Sequence, residues 1–243
     1  MSVIAFMNGK GGVGKSALAR TAAVEYARKP KTTVILGDLN DGQHTCAKWA
    51  ETRAANGFLP AIDTRKLTLS QVHDLLTSPG ECPDMLILDT PGWKDKTSLQ
   101  VAGWSNYVVI PCGGNLGDDV VPSFEFALQL LKAGVQTWRI GIALTRLRAA
   151  TAQREMAEAR EAFASDKDAE ITVLDGGIRD MKTYGDALSI GKALTETPLE
   201  ALNEEAFALM QSIDDHEYEA SRALERERKQ ERAKDRAGGR GGR

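Results

Sequence analysis

A segment near the start of the chain has the residue types and spacing needed to bind phosphate. Residues 9–16 read Gly-Lys-Gly-Gly-Val-Gly-Lys-Ser and match the pattern GxxxxGK[ST] at every fixed position. Glycines let backbone N–H groups turn toward phosphate oxygens, Lys15 can bridge the β- and γ-phosphates, and the Ser16 hydroxyl can bind Mg²⁺. The motif predicts a site for ATP and Mg²⁺ formed by Gly9, Lys10, Gly11, Gly12, Val13, Gly14, Lys15, Ser16 and Ala17.

An aspartate at the end of an apolar run is the second candidate for this chemistry. The run Met85–Asp89 is followed by Thr90, Pro91 and Gly92. In α/β sheets ligands bind at the carboxyl ends of strands, where a carboxylate can hold Mg²⁺ through water. Taken alone, the segment is more simply a strand that ends in an Asp-initiated turn. The phosphate motif upstream favours Asp89 as a metal residue and residues 90–92 as a γ-phosphate sensor.

Short apolar runs alternate with helix-period segments along most of the chain. The predicted strands are Val3–Asn8, Thr33–Gly37, Met85–Asp89, Tyr107–Pro111, Arg139–Thr145 and Ile171–Leu174. The predicted helices are Lys15–Arg28, Thr45–Ala55, Ser70–Thr77, Asp118–Ala133, Thr151–Ala164 and Leu199–Asp214. This alternation indicates βαβ units. The predicted fold class is α/β: a single P-loop domain over residues 1–215, with a mostly parallel twisted sheet and helices on both faces.

Charge is unevenly distributed between this domain and the C-terminal segment. The whole chain of 243 residues has a formal charge of −3. Residues 222–243 contain nine Lys/Arg and four Asp/Glu, a net +5 that leaves −8 for the remainder. We predict that residues 216–243 form a net basic tail, helical or disordered. A solvated end and an arginine-rich arm that adds DNA affinity are both open interpretations.

Cysteine content and hydropathy indicate a cytoplasmic protein. Cys46, Cys82 and Cys112 are far apart and form no CxxC pair, which argues against a disulfide framework or a zinc site. The N-terminus shows no signal-peptide pattern. No apolar stretch approaches the roughly 20 residues that span a bilayer.

The segment from Lys10 to Ser16 resembles the deviant Walker A motif of the ParA/MinD family of ATPases. The resemblance implies that Lys10 crosses a homodimer formed on ATP binding and touches the partner's phosphates. It also implies non-specific DNA binding by the ATP state, nucleoid association and a ParB-like centromere-binding or cargo adaptor protein as partner. The chain starts at the phosphate loop, as in the short ParF-like ParA type. Its tail lacks the bulky apolar residues of the membrane-binding helix of MinD, so no membrane partner is expected.

The chain departs from the family at the acidic segment that follows the second predicted strand. Residues 38–43 are similar to the DxDPQ segment, whose acids help bind metal and position the attacking water. Asp38 matches the first acid, but Asn40 stands where the second is expected, and Asp41 follows directly. An amide orients water but does not accept its proton. The resemblance therefore implies Ser16, Asp38 and Asp89 as metal residues, slow hydrolysis, and the catalytic candidates Lys10, Lys15, Asp38, Asn40 and Asp41.

Together these features predict a partition or positioning ATPase that segregates a plasmid or other cargo and releases DNA when a partner stimulates hydrolysis. The alternative is a metabolic ATP-dependent ligase with a deviant phosphate loop, similar to dethiobiotin synthetase. Such ligases usually carry threonine where this chain has Lys10-Gly11-Gly12, which counts against them. Basic residues in the C-terminal half are DNA-contact candidates by position only: Arg146, Arg148, Arg154, Arg179 and Lys182.

Overall fold

A parallel sheet positions the phosphate loop at the carboxyl ends of its strands. The computed structural model describes residues 1–40, 42, 44–78, 80, 82–92, 96–165 and 169–238. Within these residues seven strands pair in the order β3-β2-β4-β1-β5-β6-β7, and every pairing is parallel. The strands are β1 (Ser2–Phe6), β2 (Val34–Asp38), β3 (Asp63–Lys66), β4 (Met85–Asp89), β5 (Tyr107–Gly113), β6 (Ile140–Thr145) and β7 (Thr172–Val173).

Helices cover both faces of this sheet. In the described part of the chain they are α1 (Lys15–Ala27), α2 (Thr45–Ala55), α3 (Leu69–Thr77), α4 (Lys96–Trp104), α5 (Val121–Lys132), α6 (Ala152–Ala164), α7 (Lys182–Ser189) and α8 (Glu200–Gly238). Alternate strand residues point to opposite faces, so Val3 and Ala5 pack with α3 to α6, whereas Ile4 and Phe6 pack with α1, α2, α7 and α8. The predicted α/β P-loop fold is confirmed.

Strand β3 and helix α4 were absent from the sequence prediction, and α7 is not among the helices predicted from the apolar pattern. Strand β3 reads Asp-Thr-Arg-Lys and lies at the edge of the sheet, pairing with β2. An edge strand needs no continuous apolar run, because one side faces solvent. Helices α4 and α7 are only nine and eight residues long and each contains a glycine. The predicted helix Asp118–Ala133 instead starts as a π-helical turn, Leu116–Val120, before α5 begins.

Strand register brings the candidate site residues to the same edge. Phe6, the last residue of β1, is level with Asp89 of β4. Asp38, the last residue of β2, is also level with Asp89. Since parallel strands share one carboxyl edge, the loop that follows β1 and the two aspartates meet there.

Helix α8 passes through the predicted domain limit at residue 215 without a break. Its packing on the body continues for about two turns beyond that limit, because Glu217 and Ala220 are buried. The Ser221 hydroxyl accepts a hydrogen bond from Asn106 Nδ2 at 3.0 Å. The division of the chain at residue 215 stays a prediction. None of the described helices is both long enough and apolar enough to cross a bilayer.

Candidate functional site

The phosphate loop between β1 and α1 has the backbone shape that its glycines predict. Gly12 and Gly14 have φ angles of 76° and 91°, in the left-handed region that favours glycine. A Cβ added at Gly14 would also lie 3.5 Å from the Thr145 side chain. The loop leads directly into α1 at Lys15. A helix N-terminus presents free N–H groups and a positive dipole end, which suits an anion.

Lys15 lies within this loop. Its side chain is buried, and Nζ donates to the Lys10 carbonyl oxygen at 2.8 Å. Burial lowers the pKa of Lys15, and the neighbouring Asp89 carboxylate opposes that shift. A desolvated ammonium held by a loop carbonyl is well suited to exchange that contact for a phosphate oxygen, because charge-assisted bonds are the stronger ones.

Lys10 lies on the outer side of the loop. Its Nζ donates to the Asp118 carbonyl oxygen at 2.6 Å and to Asp119 Oδ1 at 2.5 Å. Asp119 belongs to the π-helical turn, where the Asn115 side chain accepts from the Asp118 N–H. The Lys10 side chain is 36% exposed. The two lysines of the motif therefore have separate environments, one within the loop and one at the surface.

The aspartates at the ends of β2 and β4 differ in their hydrogen-bond partners. Asp38 Oδ1 accepts from the Asn40 N–H, and Oδ2 accepts from the Cys46 and Ala47 N–H groups at 2.9 and 3.2 Å. Asp89 Oδ2 accepts from the Cys46 thiol at 3.1 Å. Asp89 Oδ1 is buried and has no hydrogen-bond partner among the described residues. Asp38 therefore fastens the start of α2, whereas Asp89 keeps one oxygen free.

This free oxygen fits a hard cation. Burial raises the pKa of Asp89 and nearby Asp38 raises it further, while the neighbouring Ser16 and Cys46 side chains oppose the shift. A bound cation would stabilise the ionised carboxylate in this setting. Mg²⁺ prefers oxygen ligands and keeps several waters, so the Ser16 hydroxyl and Asp89 suit it. The described residues contain no group of three or more His, Cys, Asp or Glu side chains that could hold a metal by themselves.

The loop between β2 and α2 contains the departure at Asn40. The Asn40 N–H donates to Asp38 Oδ1 at 3.1 Å, and its side-chain oxygen accepts from the Gly42 N–H at 3.4 Å. Asp41 lies outside the described residues. Which of the two residues serves hydrolysis therefore stays open.

The segment after Asp89 reaches the phosphate loop. The Thr90 hydroxyl donates to the Phe6 carbonyl oxygen at 3.0 Å. A Cβ added at Gly92 would lie 3.4 Å from the Gly9 carbonyl oxygen. Residues 90–92 thus lie against the loop where a γ-phosphate sensor is expected, which stays a prediction.

A groove beside the loop is lined by residues for which the sequence predicted no role in nucleotide binding. At the carboxyl end of β6, the Thr145 hydroxyl donates to the Val13 carbonyl oxygen at 2.8 Å and Arg146 Nη1 donates to the Gly12 carbonyl oxygen at 3.1 Å. The adjoining groove, of about 720 Å³, is lined in part by Leu147, Thr151 and Gly177. The available signal was Thr145 and Arg146 themselves, polar residues at the end of an apolar strand and directly after it.

The basic DNA-contact candidates all have partners within the chain. Arg146 donates to the phosphate loop, and the other four form ion pairs with Glu155, Glu158, Glu205 and Asp186. The ion pairs of Arg154 and Lys182 are exposed and contribute about 0–1 kcal/mol, so they do not block an alternative phosphate partner. In the pairs of Arg148 and Arg179 the glutamate is largely buried. Of the five, Arg146 alone forms a hydrogen bond with the phosphate loop among the described residues.

Solved structures of other proteins resemble this chain. No protein-family model and no curated protein sequence matches the chain. A plasmid partition protein from Borrelia burgdorferi bound to AMPPNP matches with a TM-score of 0.63 and 16% identity, over 88% of this chain and 98% of that one. An ATP complex of McdA from Cyanothece matches with a TM-score of 0.62 and 16% identity, over 88% and 96%.

A chain of the MinC:MinD cell division protein complex from Aquifex aeolicus also matches. The TM-score is 0.67 and the identity is 14%, over 88% of this chain and 96% of that one. These identities are low, but each match covers nearly the whole of the other chain. Together with the phosphate loop and the level aspartates of β2 and β4, they confirm the predicted resemblance in structure: the chain has the fold of the ParA/MinD ATPases.

Proposed function

We propose that this protein is a positioning ATPase that binds ATP with Mg²⁺ and dimerises in the ATP state. The dimer would bind a larger structure, its track, and release that track when ATP hydrolysis is stimulated. The observation that carries the proposal is the separate placement of the two loop lysines. Lys15 lies inside the phosphate loop, while the Lys10 ammonium lies at its outer surface on Asp119. A site that only bound its own ATP would need Lys15 alone. The partly exposed Lys10 ammonium would exchange its contact with Asp119 for a group of a second copy.

The chain's own residues divide the work of nucleotide binding. The glycine-rich backbone and the N-terminus of α1 receive the phosphates, and Lys15 neutralises the charge between the β- and γ-phosphates. Ser16 and Asp89 would hold Mg²⁺. Asp38, the third predicted metal residue, has both carboxylate oxygens bonded to backbone N–H groups and would contribute by fixing the start of α2. Mg²⁺ supplies charge neutralisation on the phosphate oxygens when bound. The base would lie in the groove beside Arg146. AMPPNP and ATP bound to the structural neighbours support this assignment.

Basal ATP hydrolysis is expected to be slow, well below a typical enzyme turnover of about 10 per second. The reason is Asn40, whose amide does not accept a proton from water. If Asn40 has replaced the usual acid, Asn40→Asp should speed hydrolysis without changing ATP affinity. If Asp41 has taken over the role, Asn40→Asp should have little effect and Asp41→Ala should remove the residual activity. Single-turnover rates distinguish the two.

Asp38→Ala is a poor test of these alternatives, because removal of its backbone contacts would loosen α2 in either case. Fast hydrolysis by the wild-type protein without any partner would contradict both versions. That result would favour the alternative function, a metabolic ligase similar to dethiobiotin synthetase.

Duplex DNA is the proposed track, and a ParB-like centromere-binding protein or cargo adaptor is the proposed stimulating partner. The ATP-bound protein is expected to bind DNA of any sequence, with an affinity that falls steeply with salt because Lys/Arg–phosphate contacts release counterions. Filter binding at several salt concentrations, with the ADP state as control, measures this. Absence of ATP-dependent binding at low salt would argue for a protein track instead.

The contribution of the tail can be measured separately. Truncation after Leu224 keeps the packed part of α8 and removes eight Lys/Arg and four Asp/Glu, a net +4. If the tail binds DNA, the salt slope should fall by about 0.9 for each phosphate that the tail neutralises in the full-length protein. An unchanged slope would mean that the tail is a solvated end.

A further inference from the structure

One buried cysteine touches both aspartates of the candidate metal site. Cys46 is the second residue of α2, and its side chain is 0% exposed. Its backbone N–H donates to Asp38 Oδ2 at 2.9 Å, and its thiol donates to Asp89 Oδ2 at 3.1 Å. The sulfur also lies 4.0 Å from the Ser16 carbonyl oxygen. Cys46 therefore joins α2 to the ends of β2 and β4 and to the start of α1.

The two contacts of Cys46 are made by different parts of the residue. Asp38 is bound through the main chain, so a side-chain substitution leaves that hydrogen bond in place. Asp89 is bound through the thiol alone. The contribution of Cys46 to Asp89 can therefore be removed without removing the bond that anchors α2 to Asp38.

The two oxygens of the Asp89 carboxylate differ in their hydrogen bonding. Oδ2 carries the S–H hydrogen bond, while Oδ1 is buried and has no hydrogen-bond partner in the described part of the chain. A carboxylate rotates about a single bond, and one hydrogen bond on one oxygen selects its orientation. Burying a polar atom without a partner is costly, and here the atom is a carboxylate oxygen, which a bound cation or the cation's water would satisfy.

We propose that Cys46 is a positioning residue for the divalent cation that accompanies ATP. Its thiol holds Asp89 in the rotation that turns the free oxygen toward the cation or the cation's water. Residues that orient a metal ligand in this way typically affect metal affinity by about 10–100-fold. The inference rests on the proposed function, since it concerns the cation of the ATP complex.

The test separates cation binding from nucleotide binding. Affinity for AMPPNP is measured by titration calorimetry at a series of Mg²⁺ concentrations and in EDTA. Cys46→Ala is expected to raise the Mg²⁺ concentration at half-maximal effect about tenfold, while AMPPNP affinity in EDTA stays unchanged. Cys46→Ser restores a donor at the same place and is expected to return the midpoint close to that of the wild-type protein.

Two further variants control for packing. Cys112→Ala removes the thiol of another fully buried cysteine, which lies on β5 and donates to the Gly113 carbonyl oxygen rather than to either aspartate. It is expected to leave the Mg²⁺ midpoint unchanged. Cys46→Val fills the space of the cysteine side chain but has no hydrogen-bond donor. It replaces Cys46→Ala in the test if the alanine variant does not fold. Thermal unfolding without nucleotide monitors stability in every case.

The outcomes are distinct. If Cys46→Val or Cys46→Ala has the same Mg²⁺ midpoint as the wild-type protein, the positioning role is overturned and the proposed function is left intact. A shift of the same size in Cys112→Ala also overturns it, because the effect is then general loosening of the core. Wild-type protein that binds no AMPPNP with Mg²⁺ overturns both proposals.

Discussion

Lys15→Ala is expected to abolish measurable ATP binding, with affinity falling by more than about 100-fold. Truncating one partner of a buried charged pair costs about 3–5 kcal/mol, because the remaining charge is left buried without compensation. In the ATP complex that remaining charge is the phosphate. Lys15 is 8% exposed and its ammonium is held within the loop by the Lys10 carbonyl oxygen, so its removal leaves the phosphates without that cation.

The same substitution should not unfold the protein. Without nucleotide the Lys15 ammonium is desolvated and has the Lys10 carbonyl oxygen as its partner, which makes it a cost to stability. The free energy of unfolding of Lys15→Ala should therefore be equal to or above that of the wild-type protein. Calorimetric titration with ATP and Mg²⁺, beside denaturant unfolding, measures both quantities. Lys132→Ala, at the last residue of α5, is the control. Unchanged ATP affinity in a folded Lys15→Ala protein would remove the basis of the proposed function.

Lys10→Ala is expected to prevent the ATP-dependent dimer while retaining ATP binding by the monomer. The Lys10 ammonium contacts Asp118 and Asp119 and not the interior of the loop, so its removal should change monomer affinity only a few-fold. Across an interface, removal of one member of a desolvated charge pair costs about 2–5 kcal/mol, or roughly 30- to 5,000-fold in the dimer dissociation constant. Sedimentation equilibrium with AMPPNP and Mg²⁺ measures the difference.

Asp119→Asn is the matched variant for this prediction. It weakens the contact that holds Lys10 within its own chain, and a freed lysine should dimerise at lower protein concentration. The gain is limited to several-fold, because the Lys10 side chain is 36% exposed and solvent screens the ion pair. If the wild-type protein stays monomeric with AMPPNP at all accessible concentrations, the dimer mechanism is wrong.

Contiguous motifs and buried elements could be predicted from the sequence. The phosphate loop is one unbroken segment whose glycines specify the backbone angles seen at Gly12 and Gly14. Strand β4 and helix α2 have the predicted bounds, Met85–Asp89 and Thr45–Ala55. Strand β4 is buried along its whole length, so its apolar run identifies it directly.

Elements whose stability comes from neighbours could not be predicted in this way. Strand β3 is polar and exists because β2 offers it a free edge. The charged sequence at the end of α8 is equally compatible with a solvated helix and a disordered tail. In the structure the helix is continuous from Glu200 to Gly238. Its first turns beyond residue 215 are held by burial of Glu217 and Ala220 on the body.

The sequence by itself determined that this chain has a phosphate loop, a following aspartate and an alternating α/β pattern, because each is encoded by adjacent residues. Only the tertiary structure decided what those residues contact. Cys46 and Asp89 are 43 residues apart, and Lys10 and Asp119 are 109 apart. Their contacts depend on β4 lying between β2 and β1, and on the turn that precedes α5. Hydrogen bonds form only within about 3 Å, and strand order, which no single segment specifies, brings these groups that close.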